Sequence, residues 1–138
     1  MSLHIALVPG ILAAVLCSAC SSTSTSLMPG SRLVGRWGGL HADMALTESG
    51  GTIQFDCAHG AIGSAVVTDA TSDFDVAGIF VREHGGPIRV GEIPDSLMAR
   101  YLGHVTVDHL RLVIRVGADT LGPYELQLNG APQLVRCL

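Results

Sequence analysis

Past Arg32 the chain reads as an all-β domain, a small up-and-down antiparallel barrel of about eight strands. Three observations carry that reading. No long stretch keeps a helical period of apolar residues. Short runs of strict alternation recur roughly every eight to fourteen residues. Gly, Asp, Asn or Pro separates them. Short sequential links suit a meander, which closes on itself to avoid open edges. A two-sheet β-sandwich of the same strands is the alternative.

Each element has its own signature. Ala42, Met44 and Leu46 alternate with Asp43, Ala45 and Thr47, entered through Gly35-Arg36-Trp37-Gly38-Gly39. Glu48-Ser49-Gly50-Gly51 turns the chain. Ile53, Phe55 and Cys57 form the apolar side of the second strand, with Thr52, Gln54 and Asp56 opposite. Small residues over 61–68 make a third, and Phe74, Val76, Gly78 and Phe80 line a fourth. A long connection over 83–97 holds Gly85-Gly86-Pro87, a tight turn, and Asp95-Ser96, which could cap one helical turn. Tyr101, Gly103, Val105 and Val107 make the fifth face. After the Asp108-His109 turn, Leu110, Leu112, Ile114 and Val116 make the sixth. Tyr124, Leu126 and Leu128 give the seventh, Asn129-Gly130 turns, and residues 133–138 give the last.

Composition excludes several function classes. The charged fraction is 14% and the net charge -4, without a basic patch, which argues against nucleic acid as a partner. All eight basic residues are arginine. Schiff-base chemistry and a phosphate-loop lysine are therefore absent. No G-x-S-x-G or H-E-x-x-H occurs, and past Arg32 there is no C-x-x-C.

The front of the chain sets the compartment. Residues 3–16 are mostly apolar. As a helix they span about 21 Å, short of the roughly 30 Å of a bilayer core, which suits the h-region of a secretory signal. Leu16-Cys17-Ser18-Ala19-Cys20 followed by a Ser/Thr run resembles a bacterial lipobox. The resemblance implies cleavage before Cys20 and lipidation of Cys20. Ser21 behind it resembles outer-membrane sorting. Residues 1–19 are then a lipoprotein signal peptide, 20–33 the lipidated cysteine and a flexible linker, and 34–138 the barrel. The membrane partner is engaged through the N-terminal lipid, on an outer-membrane lipoprotein facing the periplasm. Ordinary cleavage into a secreted or soluble periplasmic form is the alternative.

Gly35-x-Trp37 entering the first strand resembles the calycin group of barrels. The resemblance implies that Trp37 packs at one barrel end under a basic residue of the last strand, where Arg136 stands. "WGG", "FDCAHG", "EHGGP" and a terminal "RCL" together resemble a widespread bacterial lipoprotein type that carries no assigned activity.

With Cys17 removed and Cys20 lipidated, Cys57 and Cys137 remain, and in an exported domain they suggest a disulfide. Cys57 shares the face of Ile53 and Phe55, Cys137 that of Val135, so both are expected to point inward. Strands two and eight of a meander run the same way, which brings both cysteines to one end. Closing about 80 residues is worth up to about 4.5 kcal/mol in the chain-entropy model. The same counting gathers Trp37, His41, Asp56, His59, Glu83, His84 and Arg89 at that rim. Three imidazoles with carboxylates nearby could bind zinc; otherwise they are polar turn residues, as His104 and His109 are surface residues. No other cofactor is expected. The reading that follows is a non-enzymatic, lipid-anchored envelope protein of binding or structural role, with an envelope protein or wall component as partner. The alternatives are a calycin-like carrier of a small apolar ligand, given room by Gly78 and Gly103, and a zinc-dependent hydrolase using the histidine rim.

Overall fold

The computed structural model describes residues 30–87 and 89–137. It contains eight strands: β1 (Gly35–Gly39), β2 (Ala42–Thr47), β3 (Gly50–Phe55), β4 (Ala58–Ile62), β5 (Asp73–Arg82), β6 (Asp95–Thr106), β7 (His109–Val116) and β8 (Asp119–Leu128). Each pairs antiparallel with the next, and β1 pairs with β8, so the sheet is a closed up-and-down barrel and not a sandwich. The expected count holds with different members. Gly35–Gly39 is a strand in its own right, with Trp37 opposite both Met44 and Leu128. Residues 133–137 are not a barrel strand.

Three other boundaries move. Asp95-Ser96 opens β6 instead of capping a helical turn. The third strand is Ala58–Ile62, not 61–68. Val66 and Thr68 instead pair with the segment leading into β1: Leu33 N–H donates to Val66 O at 2.8 Å and Thr68 N–H to Ser31 O at 3.0 Å. That small ladder buries Leu33 and Val66 over one barrel end. β8 begins at Asp119 and carries an extra residue opposite the Leu112/Ile114 step, at Gly122-Pro123. Proline lacks an N–H for the ladder and is tolerated in strands at such bulges.

The period-2 pattern places Trp37, Met44, Ile53, Leu110, Leu112, Ile114 and Leu126 in one core, each 2% exposed or less. Outward positions carry cross-strand ion pairs such as Arg36–Asp43 at 2.5 Å and Arg100–Asp75 at 2.8 Å. The inward glycines do not leave room. A Cβ on Gly60 would stand 1.9 Å from the Tyr101 hydroxyl, one on Gly78 2.8 Å from its ring, and one on Gly103 2.3 Å from the Phe74 ring. Tyr101 lies across the barrel in the space Gly60 and Gly78 open, and Phe74 fills that over Gly103. The Tyr101 hydroxyl donates to the Ile79 carbonyl at 2.7 Å, and burial pushes its pKa up to about 12.

This packing predicts the outcome of a double-mutant cycle. Gly60→Ala should destabilise the barrel by about 1–3 kcal/mol, as overpacking does, measured by denaturant unfolding. Combined with Tyr101→Phe, which removes the atom in the way, the alanine should cost clearly less. Equal costs in both backgrounds would refute the contact.

Candidate functional site

The β1–β2, β3–β4, β5–β6 and β7–β8 turns all lie at one end of the barrel, opposite the end closed by Leu33 and Val66. The chain after β8 comes to the same end. Asn129 adopts φ 58°, its N–H bonding Arg36 O at 2.7 Å, and the tail then reverses over the outside of β1. Gly38 permits the crossing, since a Cβ there would stand 2.2 Å from the Gly130 carbonyl oxygen. Gln133 pairs with the β1–β2 corner: its N–H donates to Gly39 O at 2.9 Å, and its carbonyl accepts the His41 N–H at 2.8 Å.

The tail ends in the expected disulfide, Cys57–Cys137, with Cα atoms 5.4 Å apart. Both half-cystines are exposed, not inward-facing, and neither sits in a strand. Cys57 is in the β3–β4 turn and Cys137 in the tail. The bridge therefore fastens a strap across the rim. The barrel itself is closed by the β1–β8 ladder.

Asp56 is the hub of the rim. One carboxylate oxygen accepts the His41 ring nitrogen at 2.6 Å, and the other accepts the Val135 N–H at 2.8 Å. His41 holds φ 67° in its turn. The His59 ring donates to Glu83 at 2.7 Å, and Glu83 N–H donates to Cys57 O at 2.9 Å. His84 bonds Glu92 and the Gly85 carbonyl within the β5–β6 connection. The Gly85 carbonyl and then Glu92 hold the His84 pKa above its ordinary value.

Two clefts flank this network. One, of about 320 Å³, is the barrel mouth between His41, Asp56 and Arg82, over Phe55, Phe80 and Tyr124. The Phe55 ring lies 5.6 Å from Phe80 and 5.2 Å from Tyr124. Burial and the Asp56 charge raise the Tyr124 pKa. The other, of about 580 Å³, lies between Gln54, Asp56 and Glu83 on the barrel and Leu134, Arg136 and Cys137 on the tail.

His41, Asp56, His59, Glu83 and His84 thus share the predicted end, but as separate pairs. Among the described residues no group of three or more His, Cys, Asp or Glu side chains could hold a metal ion. Each imidazole is engaged by its own carboxylate. Trp37, expected at the rim, is a core residue in mid-strand, and its Nε1 has no partner among the described residues. Arg136, expected in the last strand, stands exposed in the tail. No cation–ring contact joins the two among the described residues. Cys20 lies outside the described residues. Sequence reasoning missed the strap, the double role of Asp56, and Tyr124 at the mouth. The signal for the strap was Gly38: a glycine at an outward strand position marks close approach by another backbone.

Chemically, FDCAHG offers no thiolate, because Cys57 is bonded to Cys137. Neither His41 nor His59 has a hydroxyl or thiol partner among the described residues.

Two measurements check this arrangement. Replacing both Cys57 and Cys137 by Ser should lower stability by at most about 4.5 kcal/mol and leave the barrel's amide pattern intact. Local protection from hydrogen exchange should be lost at Gln133 and Val135, the tail amides that are bonded, while the barrel amides stay paired. The His84 clasp should be complete below the ring's ordinary value near 6.5 and weaken as pH rises through the raised folded value. An NMR titration of His84 checks the sign, and Glu92→Gln should move its pKa part of the way back, since the Gly85 carbonyl remains. No protein-family model, curated protein or solved structure matches the chain.

Proposed function

We propose that the chain is a lipid-anchored protein of the bacterial cell envelope with a non-enzymatic binding role. In this reading it is held to the outer membrane through Cys20, faces the periplasm, and uses the disulfide rim as its binding surface. The observation that carries this is the exposed Cys57–Cys137 bridge, a bond that persists in oxidising compartments. The polarity of the fold supports it. The chain enters the barrel at the end opposite the rim, so a tether on residues 20–29 would leave the rim facing away from its anchor. The outer wall, with Arg36–Asp43, Arg100–Asp75 and Arg111–Glu125 across neighbouring strands, suits water rather than lipid. A ligand carried inside the barrel is disfavoured, because Tyr101 and Phe74 occupy the space above the inward glycines. A zinc hydrolase lacks a ligand set among the described residues.

Mass spectrometry of the full protein exported by a bacterial host tests the reading. The mature chain should begin at Cys20 with lipid attached and gain two hydrogens on reduction. A chain that keeps residues 1–19, or begins elsewhere without lipid, would overturn the anchoring.

A further inference from the structure

Residues 131–137 run without a turn or bend from Asn129-Gly130 to the disulfide. In an extended chain, successive amides face opposite sides. Gln133 turns its N–H and carbonyl to the β1–β2 corner, at 2.9 and 2.8 Å, and Val135 turns its N–H to Asp56 at 2.8 Å. The N–H groups of Leu134 and Arg136 therefore face the other way. Neither has a hydrogen-bond partner among the described residues, and neither has the Arg136 guanidinium. Both residues also line the cleft of about 580 Å³ between the tail and Gln54, Phe55, Asp56 and Glu83, but their free N–H groups point to the outer side of the tail, away from Asp56.

Unpaired donors two residues apart on an extended segment form a free β edge, the template for strand addition. We infer that this edge takes up an extended peptide, with a carboxylate of that peptide seated on the Arg136 guanidinium. The inference rests on the reading of the disulfide rim as a binding surface. A planar guanidinium without a partner suits a carboxylate held by two hydrogen bonds. Neither acidic residue across the cleft is bonded to the guanidinium. Asp56 is engaged at both oxygens by His41 and Val135, and Glu83 is held by His59 through one oxygen. The half-buried Leu134 beside Arg136 supplies an apolar contact. Because the disulfide holds the edge extended beforehand, little ordering accompanies binding.

The test is selection from a displayed library of random ten-residue peptides on the full, exported, oxidised chain, followed by anisotropy titration of the selected peptides. Two variants read the mechanism. Leu134→Pro removes an N–H that has no partner in the free protein, and an unchanged melting temperature verifies its fold. Arg136→Glu reverses the charge. The selected peptides should carry Asp, Glu or a free C-terminus and lose at least tenfold in affinity on each variant. C-terminal amidation of the peptides separates a terminal carboxylate from a side-chain one. Selection of no peptide overturns the inference. So do peptides that bind both variants unchanged, or a dimer in which a second copy occupies the edge. The assay needs only the closed disulfide. An unlipidated chain that binds such peptides removes the anchoring alone, and a lipidated chain that binds none removes the inference alone.

Discussion

Closure of β1 onto β8 is the constraint from which the rest of the molecule follows. β1 has only five residues, yet it pairs with β2 on one side and β8 on the other. Once both edges are taken, nothing after Leu128 can enter the sheet. Residues 129–137 must run outside, and they cross where β1 has no side chain to obstruct them, at Gly38. A segment outside the sheet cannot rely on a ladder for its order. It is held by one bridge at Gln133, by the Asp56 carboxylate under Val135, and by the disulfide. The cysteines thus serve the tail, and the barrel stands on its own hydrogen bonds.

Closure also governs the interior. Eight short strands enclose a space that side chains can fill. Here they fill it unevenly, with glycine on β4, β5 and β6 and large rings between. Tyr101 extends over Gly60 and Gly78, and Phe74 covers Gly103. The tyrosine hydroxyl, which burial alone would penalise, ends on the Ile79 carbonyl. A solid interior moves any recognition to the ends. One end is sealed by Leu33 and Val66. The other carries the turns, the strap and every polar pair built around Asp56 and Glu83.

Much of this was readable in the residues, and the failures have physical causes. Period-2 alternation identified β2, β3, β5 and β7 well, because one face of each is buried; it found the inner face of β6 but started it six residues late and carried it on to Val107, which stands exposed in the β6–β7 turn. It misplaced β4, where alanine and glycine blur the contrast between faces. It made a strand of residues 133–138, because a strap packed on a sheet is as extended as a strand and alternates in the same way. That extra strand at the back offset Gly35–Gly39, overlooked at the front as a strand of its own. Direction along the barrel was therefore preserved, and Cys57, Cys137, His41, His59 and His84 were assigned to the right end. What alternation cannot convey is which way a residue beyond a strand end points. Cys57 follows the face of Ile53 and Phe55 only until the β3–β4 turn, so its inward orientation was wrong while its partner was right. The rim histidines were likewise gathered by topology but divided by hydrogen bonding, since each met a carboxylate on the nearest turn before it could meet another imidazole.

The strap is the point where redox state and fold meet. In a reducing environment residues 131–137 would keep only the Gln133 bridge and the bond to Asp56, too little to offset the entropy of ordering seven residues. Oxidation of Cys57 and Cys137 removes that entropy from the cost of any later binding at the tail. Asp56 adds direction, because it can accept Val135 only when the tail passes with its alternate amides turned away. The same two contacts that fasten the strap thus determine which of its backbone groups remain unpaired. In this molecule the fastened side and the free side of the tail are two consequences of one geometry.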